Sequence, residues 1–215
     1  MTSLSRPVVV VRIAGGLGNQ LFGYAVARRL ALKNDADLAF DTISGFAYDF
    51  LYRRSFQLDR FSINYRESTR RERFEPFPKV GRYLVKMANK LRKGNGSYFS
   101  DYTNAYDPSI LESRFSGTAY LEGYWQNVKY FKDCESVIRK ELRFKPPIDS
   151  INLSLAKKIK YHQSIAIHAR FFYDSITGSD VASSYYNAAI AEMEEKFSNP
   201  HYYLFSDQPD EAVKK

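Results

Sequence analysis

The sequence predicts an α/β protein of two facing Rossmann-like lobes, the second of them incomplete, and three stretches of its 215 residues carry that prediction. The first is residues 8–22, where a β-branched run, Val8-Val-Val-Val-Arg-Ile13, leads through a glycine turn into a helix, as when an α/β domain builds a ligand cleft. The second is Ile165-Ala-Ile-His-Ala-Arg170, a strand that delivers an imidazole and a guanidinium at its carboxyl end. Between them, Lys145-Pro-Pro-Ile-Asp149 is the strongest linker, because consecutive prolines stop a helix and stiffen the connection.

Taken in order, Gly15, Gly16 and Gly18 let the backbone turn tightly and approach a ligand, and residues 21–32 have helical apolar spacing. Asp37-Leu-Ala-Phe-Asp41 reads as the second strand, with Asp41 at its carboxyl end and its carboxylate expected to face the cleft. Residues 42–77 are aromatic, polar and irregular. A helix follows, with Val80, Tyr83, Leu84, Met87, Ala88 and Leu91 on one face and Arg82, Lys86, Lys90 and Lys93 on the other, ended by the turn Gly94-Asn-Gly-Ser97. Thr118-Ala-Tyr-Leu-Glu-Gly123 returns to strand character, and residues 128–142 read as a helix. The first lobe is thus expected over 1–145, with a basic insertion at 52–97.

The second lobe, 146–215, is expected to open with a helix at 151–159, followed by the His168 strand and a polar loop at 175–183. Residues 185–197 form a helix whose stripe is Tyr186, Ala189, Ile190 and Met193. His201-Tyr-Tyr-Leu-Phe205 is its second strand, after which Ser206 or Asp207 caps a final helix with Pro209 in the first turn. Two parallel strands leave much of a sheet edge uncovered, so the lobe reads as unfinished.

Composition narrows the function classes. With 44% hydrophobic and 16% aromatic residues the chain is globular, not disordered. One cysteine, Cys134, excludes an internal disulfide framework, and with three histidines it leaves no structural zinc site. A reducing cytosol fits this usage. Neither a signal-peptide core nor a spanning helix is present in the sequence, so a soluble or peripheral protein is expected. The net charge of +8 is regional, because residues 52–93 hold 13 Lys/Arg against 4 Asp/Glu. The helix at 80–93 reads either as a surface helix with a solvated charged face or as an electrostatic contact with anionic lipid. Nucleic acid is not expected as a partner, since no recognisable module interleaves aromatics with the basic residues.

Several motifs together resemble the bacterial α-1,2-fucosyltransferases of glycosyltransferase family 11. They are Gly15-Gly-Leu-Gly-Asn-Gln-Leu-Phe22 with Tyr24-Ala25, Leu121-Glu-Gly-Tyr-Trp-Gln126, Ile167-His-Ala-Arg170, Tyr185-Tyr186 with Ala189-Ile190, and Phe205-Ser-Asp207. The resemblance spans nearly the whole chain. It implies a GT-B architecture, an acceptor-side first lobe, a GDP-sugar-binding second lobe, and transfer of L-fucose with inversion from GDP-β-L-fucose to a sugar hydroxyl. It implies no metal and no cofactor beyond the donor substrate. The acceptor implied is an oligosaccharide or a lipid-linked surface glycan, which places the enzyme in the cytoplasm or on the inner face of the cytoplasmic membrane.

The residues make chemical sense in those roles. Breaking the bond from fucose to phosphate releases negative charge, and the planar guanidinium of Arg170 is suited to take it. His168, two residues earlier on the same strand face, donates to phosphate or braces the loop. Gly16 and Gly18 admit a ligand, and the amide of Asn19 meets donor phosphate or sugar hydroxyls. Gln20, Trp125 and Gln126 are expected to line the acceptor site, and Ser206 and Asp207 to contact the nucleotide or cap a helix. Asp41 and Asp174 are the candidate bases. Gly16-Leu-Gly18 is followed by Asn19-Gln-Leu21 and so lacks the third glycine of a dinucleotide fingerprint. Asp35-Ala-Asp37 spells a diphosphate–metal motif but falls at the wrong end of the sheet, in a turn. Two features depart from the family pattern: Phe171-Phe-Tyr-Asp174 follows Arg170 where a second arginine and Gly-Asp-Tyr are common, and the family's later serine-rich loop has no counterpart. A truncated, catalytically silent GDP- or glycan-binding relative is therefore the alternative expectation.

Overall fold

The computed structural model describes residues 6–91, 97–103, 105–147, 149–171 and 181–214. It divides into two compact units, Met1–Lys145 and Pro146–Lys215, each an α/β arrangement on parallel strands.

The first unit is built on a five-stranded parallel sheet. Its strands are β1 (Val8–Arg12), β2 (Asp37–Asp41), β3 (Arg66–Glu67), β4 (Tyr98–Asp101) and β5 (Thr118–Gly123), in the spatial order β3-β2-β1-β5-β4. A run of four valines suits the central strand, because a strand covered on both faces gains from β-branched side chains on each. Alternation then sorts them. Val9 and Val11 join Phe40, Leu121, Tyr24, Ala27 and Leu30 in the larger core, beneath α1 (Leu17–Asn34). Val10 meets Ala39, Tyr98 and Tyr120 on the opposite face, with Phe74 and Val85 packed against them. The register pairs Val8 with both Asp37 and Thr118, so Arg12, Asp41 and Gly123 reach the same carboxyl edge. Asp35, left-handed at φ 47°, ends α1 at the amino edge. There it pairs with Arg6, which also lies 3.5 Å from Asp37, so Asp35-Ala-Asp37 is the expected turn.

Two expectations are corrected. Residues 128–142 are not one helix: Val128–Tyr130 and Lys132–Cys134 are single 3-10 turns, and only Glu135–Glu141 is α-helical. Phe131, at φ −141°, interrupts the helical path between the turns. With a short helix at Ser109–Glu112, named α3, that last segment is α4. The larger correction concerns α2 (Pro78–Leu91), whose apolar stripe faces solvent. Val80, Tyr83, Leu84 and Met87 are 44% to 63% exposed, whereas Gly81, Arg82, Val85 and Asn89 turn toward the sheet.

The reason is local chemistry at the sheet margin. Asn89 donates to the Tyr98 carbonyl at 2.6 Å and accepts the Ser97 amide at 3.1 Å, satisfying the start of edge strand β4. Arg82 Nε lies 3.3 Å from Glu122 Oε2. At Gly81 a Cβ would sit 2.4 Å from Phe74 Cβ, so this close approach needs glycine. Polar matches and a small residue choose the inner face, and the apolar stripe is left outside.

The second unit comprises α5 (Ser150–Tyr161), β6 (Ser164–Ala169), α6 (Ser183–Lys196), β7 (His201–Ser206) and α7 (Pro209–Lys214), with β6 and β7 parallel. Asp149 caps α5 by accepting the Asn152 amide at 2.8 Å. Among its described residues only Ala169 is fully buried, as expected of a two-stranded sheet with little to cover it.

Candidate active site

In the first unit, the carboxyl edge of the sheet gathers most of the expected residues, and their burial separates ligand-facing groups from structural ones. Gly15, at φ +73°, makes the turn out of β1. At Gly16 and Gly18 a Cβ would meet nothing within 4 Å, so neither packing nor backbone conformation demands glycine there. The space is open on the side a ligand approaches. Asn19 lies at the surface beside Gln126, whose Nε2 donates to Asn19 Oδ1 at 2.8 Å, so two motifs distant in sequence converge on one exposed amide pair.

Three expected site residues are structural instead. Asp41 is 0% exposed: Oδ1 accepts the Ser44 and Ile43 amides at 2.9 and 3.2 Å, and Oδ2 accepts the Ser44 and Tyr120 hydroxyls at 2.5 and 2.7 Å. A carboxylate whose lone pairs are taken in this way anchors its loop and does not face a cleft. Burial, and then the Asp41 carboxylate, push the Tyr120 phenol far above its ordinary value, so it stays a donor. Gln20 is likewise buried. Its Nε2 donates to the Gly15 and Ser55 carbonyls and its Oε1 accepts the Gln57 amide, each at 2.9 Å, tying the glycine loop to residues 55–57. Trp125 is 3% exposed and stands edge-on to Tyr130, so it belongs to the core and stacks on no sugar.

The same edge holds residues that the sequence reading passed over. Gly123 and Trp125 both have positive φ, +136° and +54°, so strand alternation breaks after β5: Trp125 turns inward and Tyr124 outward. Tyr124 makes an edge-to-face pair with Tyr102, which follows β4, the centroids 6.0 Å apart. Both rings are about half exposed, a surface of the kind on which pyranose faces stack. Arg12, at the end of β1, donates Nε and Nη2 to Ser44 Oγ and O at 3.1 and 2.9 Å. With Lys79, Arg82, Tyr83, Lys86, Tyr98, Tyr102 and Glu122 it lines a cavity of about 280 Å³. Glu122 is held at the cavity wall by Arg82, and its carboxylate adds to the burial that raises the Tyr98 and Tyr102 phenols above their ordinary value. The signal for Arg12 was available in β1, since a charge that ends a valine run at a strand's carboxyl end sits where α/β sheets bind ligands.

In the second unit, His168 and Arg170 lie exposed at the carboxyl end of β6. The register pairs His168 with Phe205 and Ala169 with Ser206, so the ends of β6 and β7 are side by side. Asp207 Oδ1 accepts the Phe171 amide at 3.0 Å, pinning the residue that follows Arg170 to the tip of β7. Ser206 Oγ accepts the Gln208 amide at 3.0 Å just before α7, the helix-entry role that was one of its two expectations. His168 also lines a cavity of about 360 Å³ with the α6 stripe Tyr186, Ala189, Ile190 and Met193. Asp174 lies outside the described residues. Among those described, no group of three or more His, Cys, Asp or Glu is placed to hold a metal ion.

The chain is 27% identical over 209 residues to an alpha-1,2-colitosyltransferase of Escherichia coli, covering 93% of itself and 69% of that protein. The chain is similar to glycosyltransferases related to fucosyltransferases. Among solved structures, it matches Arabidopsis thaliana FUT1 in complex with GDP at a TM-score of 0.49 and 12% identity, over 94% of this chain and 53% of that one. It matches the fucosyltransferase NodZ from Bradyrhizobium at a TM-score of 0.42 and 13% identity, over 94% and 72%. The chain thus spans about half the length of the plant protein. No family model matches.

Proposed function

We propose that this chain is an inverting, metal-independent glycosyltransferase of the GT-B kind, moving L-fucose from GDP-β-L-fucose to a hydroxyl, the 2-OH of galactose, on an oligosaccharide or lipid-linked glycan. The first unit is its acceptor side and the second its donor side, working in the cytoplasm or on the inner face of the cytoplasmic membrane. The observation that carries the reading is the strand-end pair His168 and Arg170, exposed on β6, with Asp207 of the neighbouring strand fixing the residue after Arg170. Similarity to the colitosyltransferase over 93% of the chain supports it.

In the reaction the acceptor oxygen attacks the anomeric carbon, the bond from that carbon to the β-phosphate oxygen breaks, and GDP departs with the electron pair. Arg170 neutralises the charge that develops on the phosphate, which is why no metal is invoked. His168 donates to the same phosphate. The acceptor proton passes to a carboxylate. Burial removes Asp41 from that role, and Asp174 remains the residue expected from sequence. In the first unit the open space at Gly16 and Gly18, the Asn19–Gln126 pair and the exposed rings of Tyr102 and Tyr124 serve the sugars.

A second reading keeps the chemistry and changes the sugar. The curated relative is named for colitose, so the donor is then activated colitose, not GDP-fucose. Calorimetric titration with GDP beside a GDP-release assay on both donors tests these readings. Arg170→Ala is expected to weaken GDP binding by about 10- to 100-fold, the loss of charge-assisted phosphate contacts. Unchanged affinity would remove the donor site from β6. GDP binding without turnover of either donor would identify a silent relative.

A further inference from the structure

The exposed stripe of α2 needs an explanation. Val80, Tyr83, Leu84 and Met87 form an unbroken apolar arc on the outside of the helix. Monomeric soluble proteins rarely display such an arc without a use for it. It does not stand alone. Lys79 Nζ sits 4.1 Å over the ring of Tyr48, which brings the loop after β2 beside the start of α2, and in that loop Tyr48 and Phe50 are 64% and 77% exposed. The patch therefore combines one helix face with an aromatic loop.

Charge surrounds it in an ordered way. At 3.6 residues per turn, Lys79, Arg82 and Lys86 fall on the arc between the apolar stripe and the sheet-facing residues Gly81, Val85 and Asn89. That flank lines the 280 Å³ cavity, whose walls carry four basic side chains, Arg12, Lys79, Arg82 and Lys86, against one acid, Glu122. Arg82 spends Nε on Glu122, and its Nη1 is buried with no hydrogen-bond partner among the described residues. A guanidinium with a donor to spare, beside an open cavity walled by cations, matches an oxyanion such as phosphate.

Apolar stripe, aromatic flank and cationic shelf in that sequence match the order of layers at a membrane surface, from acyl boundary through interface to headgroup. No helix among the described residues is long and apolar enough to cross a membrane, so the geometry is that of a helix lying in the interface. We infer that α2 docks on a bilayer of anionic phospholipid, its stripe Val80, Tyr83, Leu84 and Met87 inserted with Tyr48 and Phe50, and that the cavity between Arg12, Lys79, Arg82 and Lys86 takes the phosphate of a headgroup. Insertion distinguishes this from adhesion through the charged face alone, since both the apolar and the cationic arcs are engaged.

Co-sedimentation with phosphatidylcholine vesicles, with and without phosphatidylglycerol, tests it. The full chain is expected to bind the anionic vesicles at least about 10-fold more tightly than the neutral ones, each lysine contributing about 5-fold. Leu84→Glu and Met87→Glu change exposed positions and leave the core alone, so they keep the fold. Each is expected to lower binding to both vesicle types by about 10-fold or more. Lys79→Gln with Lys86→Gln is expected to erase only the preference for phosphatidylglycerol. Three results overturn the inference: no binding to anionic vesicles, binding indifferent to Leu84→Glu, or self-association in light scattering that Leu84→Glu abolishes without any vesicle binding, which would assign the stripe to a second copy of this chain.

Discussion

Gln126 Nε2 donates to Asn19 Oδ1 across 2.8 Å, joining the turn after β5 to the glycine loop after β1 at the edge where a parallel sheet meets its ligands. Gln126 is exposed and Asn19 half-buried, and the bond between them lies at the surface, so it adds little to folding and holds two amides ready for a partner with hydroxyl or phosphate oxygens. Asn19→Ala is expected to cost about 1 kcal/mol of stability or less, as an exposed hydrogen bond does, while lowering sugar transfer by about 10-fold through lost positioning. Urea denaturation beside steady-state kinetics separates the two effects. Kinetics equal to the parent would take the glycine loop out of the active site.

Asp41 should behave in the opposite way. With four hydrogen bonds and no exposure, its replacement by alanine leaves the Ser44 and Tyr120 donors buried without an acceptor. A loss of about 2–4 kcal/mol is expected for Asp41→Ala and about 1 kcal/mol for Tyr120→Phe. The double variant should fall short of the sum, because the two share one bond. Full stability in Asp41→Ala would reopen its candidacy as the base.

The glycines make a paired test of space. Gly18 is the second residue of α1 and a Cβ there meets nothing, so Gly18→Ala should hold or raise the melting temperature. If the donor or acceptor passes close to that backbone, ligand affinity falls although stability does not. Gly81→Ala is the control, expected to destabilise by about 1–3 kcal/mol as Phe74 is pushed from α2.

Cys134 gives a pH signature. Burial, then the Asp133 carboxylate, push its thiol from 9.0 up to about 11. A group that holds its proton more tightly when folded contributes stability that is complete below its unfolded value and is lost as pH rises through the folded one. Alkylation by iodoacetamide at pH 8 should therefore be slow in the native chain and fast in urea. The unfolding midpoint should also fall between pH 9 and 11 more steeply in the parent than in Cys134→Ala. Equal slopes would show the thiol to be exposed.

Much of the fold was legible in the chain because short-range patterns specify it. Four valines followed by glycines predict a central strand and its turn. Asp37–Asp41 and Thr118–Gly123 are strands where strand character was expected, each a short run buried along most of its length. The two-residue β3 and the edge strand β4 were not legible, since so few residues carry no period and each owes its place to a neighbour already in the sheet. Among the candidate site residues, His168 and Arg170 stand at a strand end as expected, because strand direction alone puts them there.

Which side chains face a ligand was decided only in three dimensions. Asp41, Gln20 and Trp125 carry the right chemistry at the right edge, yet each is spent inside the protein, one on a loop, one on a turn and one in the core. Positive φ at Gly123 and Trp125 exchanged the roles of Trp125 and Tyr124, a choice that alternation could not reveal. On α2, periodicity identified two faces but not which one would be covered. Asn89, Arg82 and Gly81 settled that by meeting the polar edge and the Phe74 ring more closely than the apolar stripe can. Amphipathicity is a property of one helix, whereas burial depends on what the neighbouring strand has left unpaired.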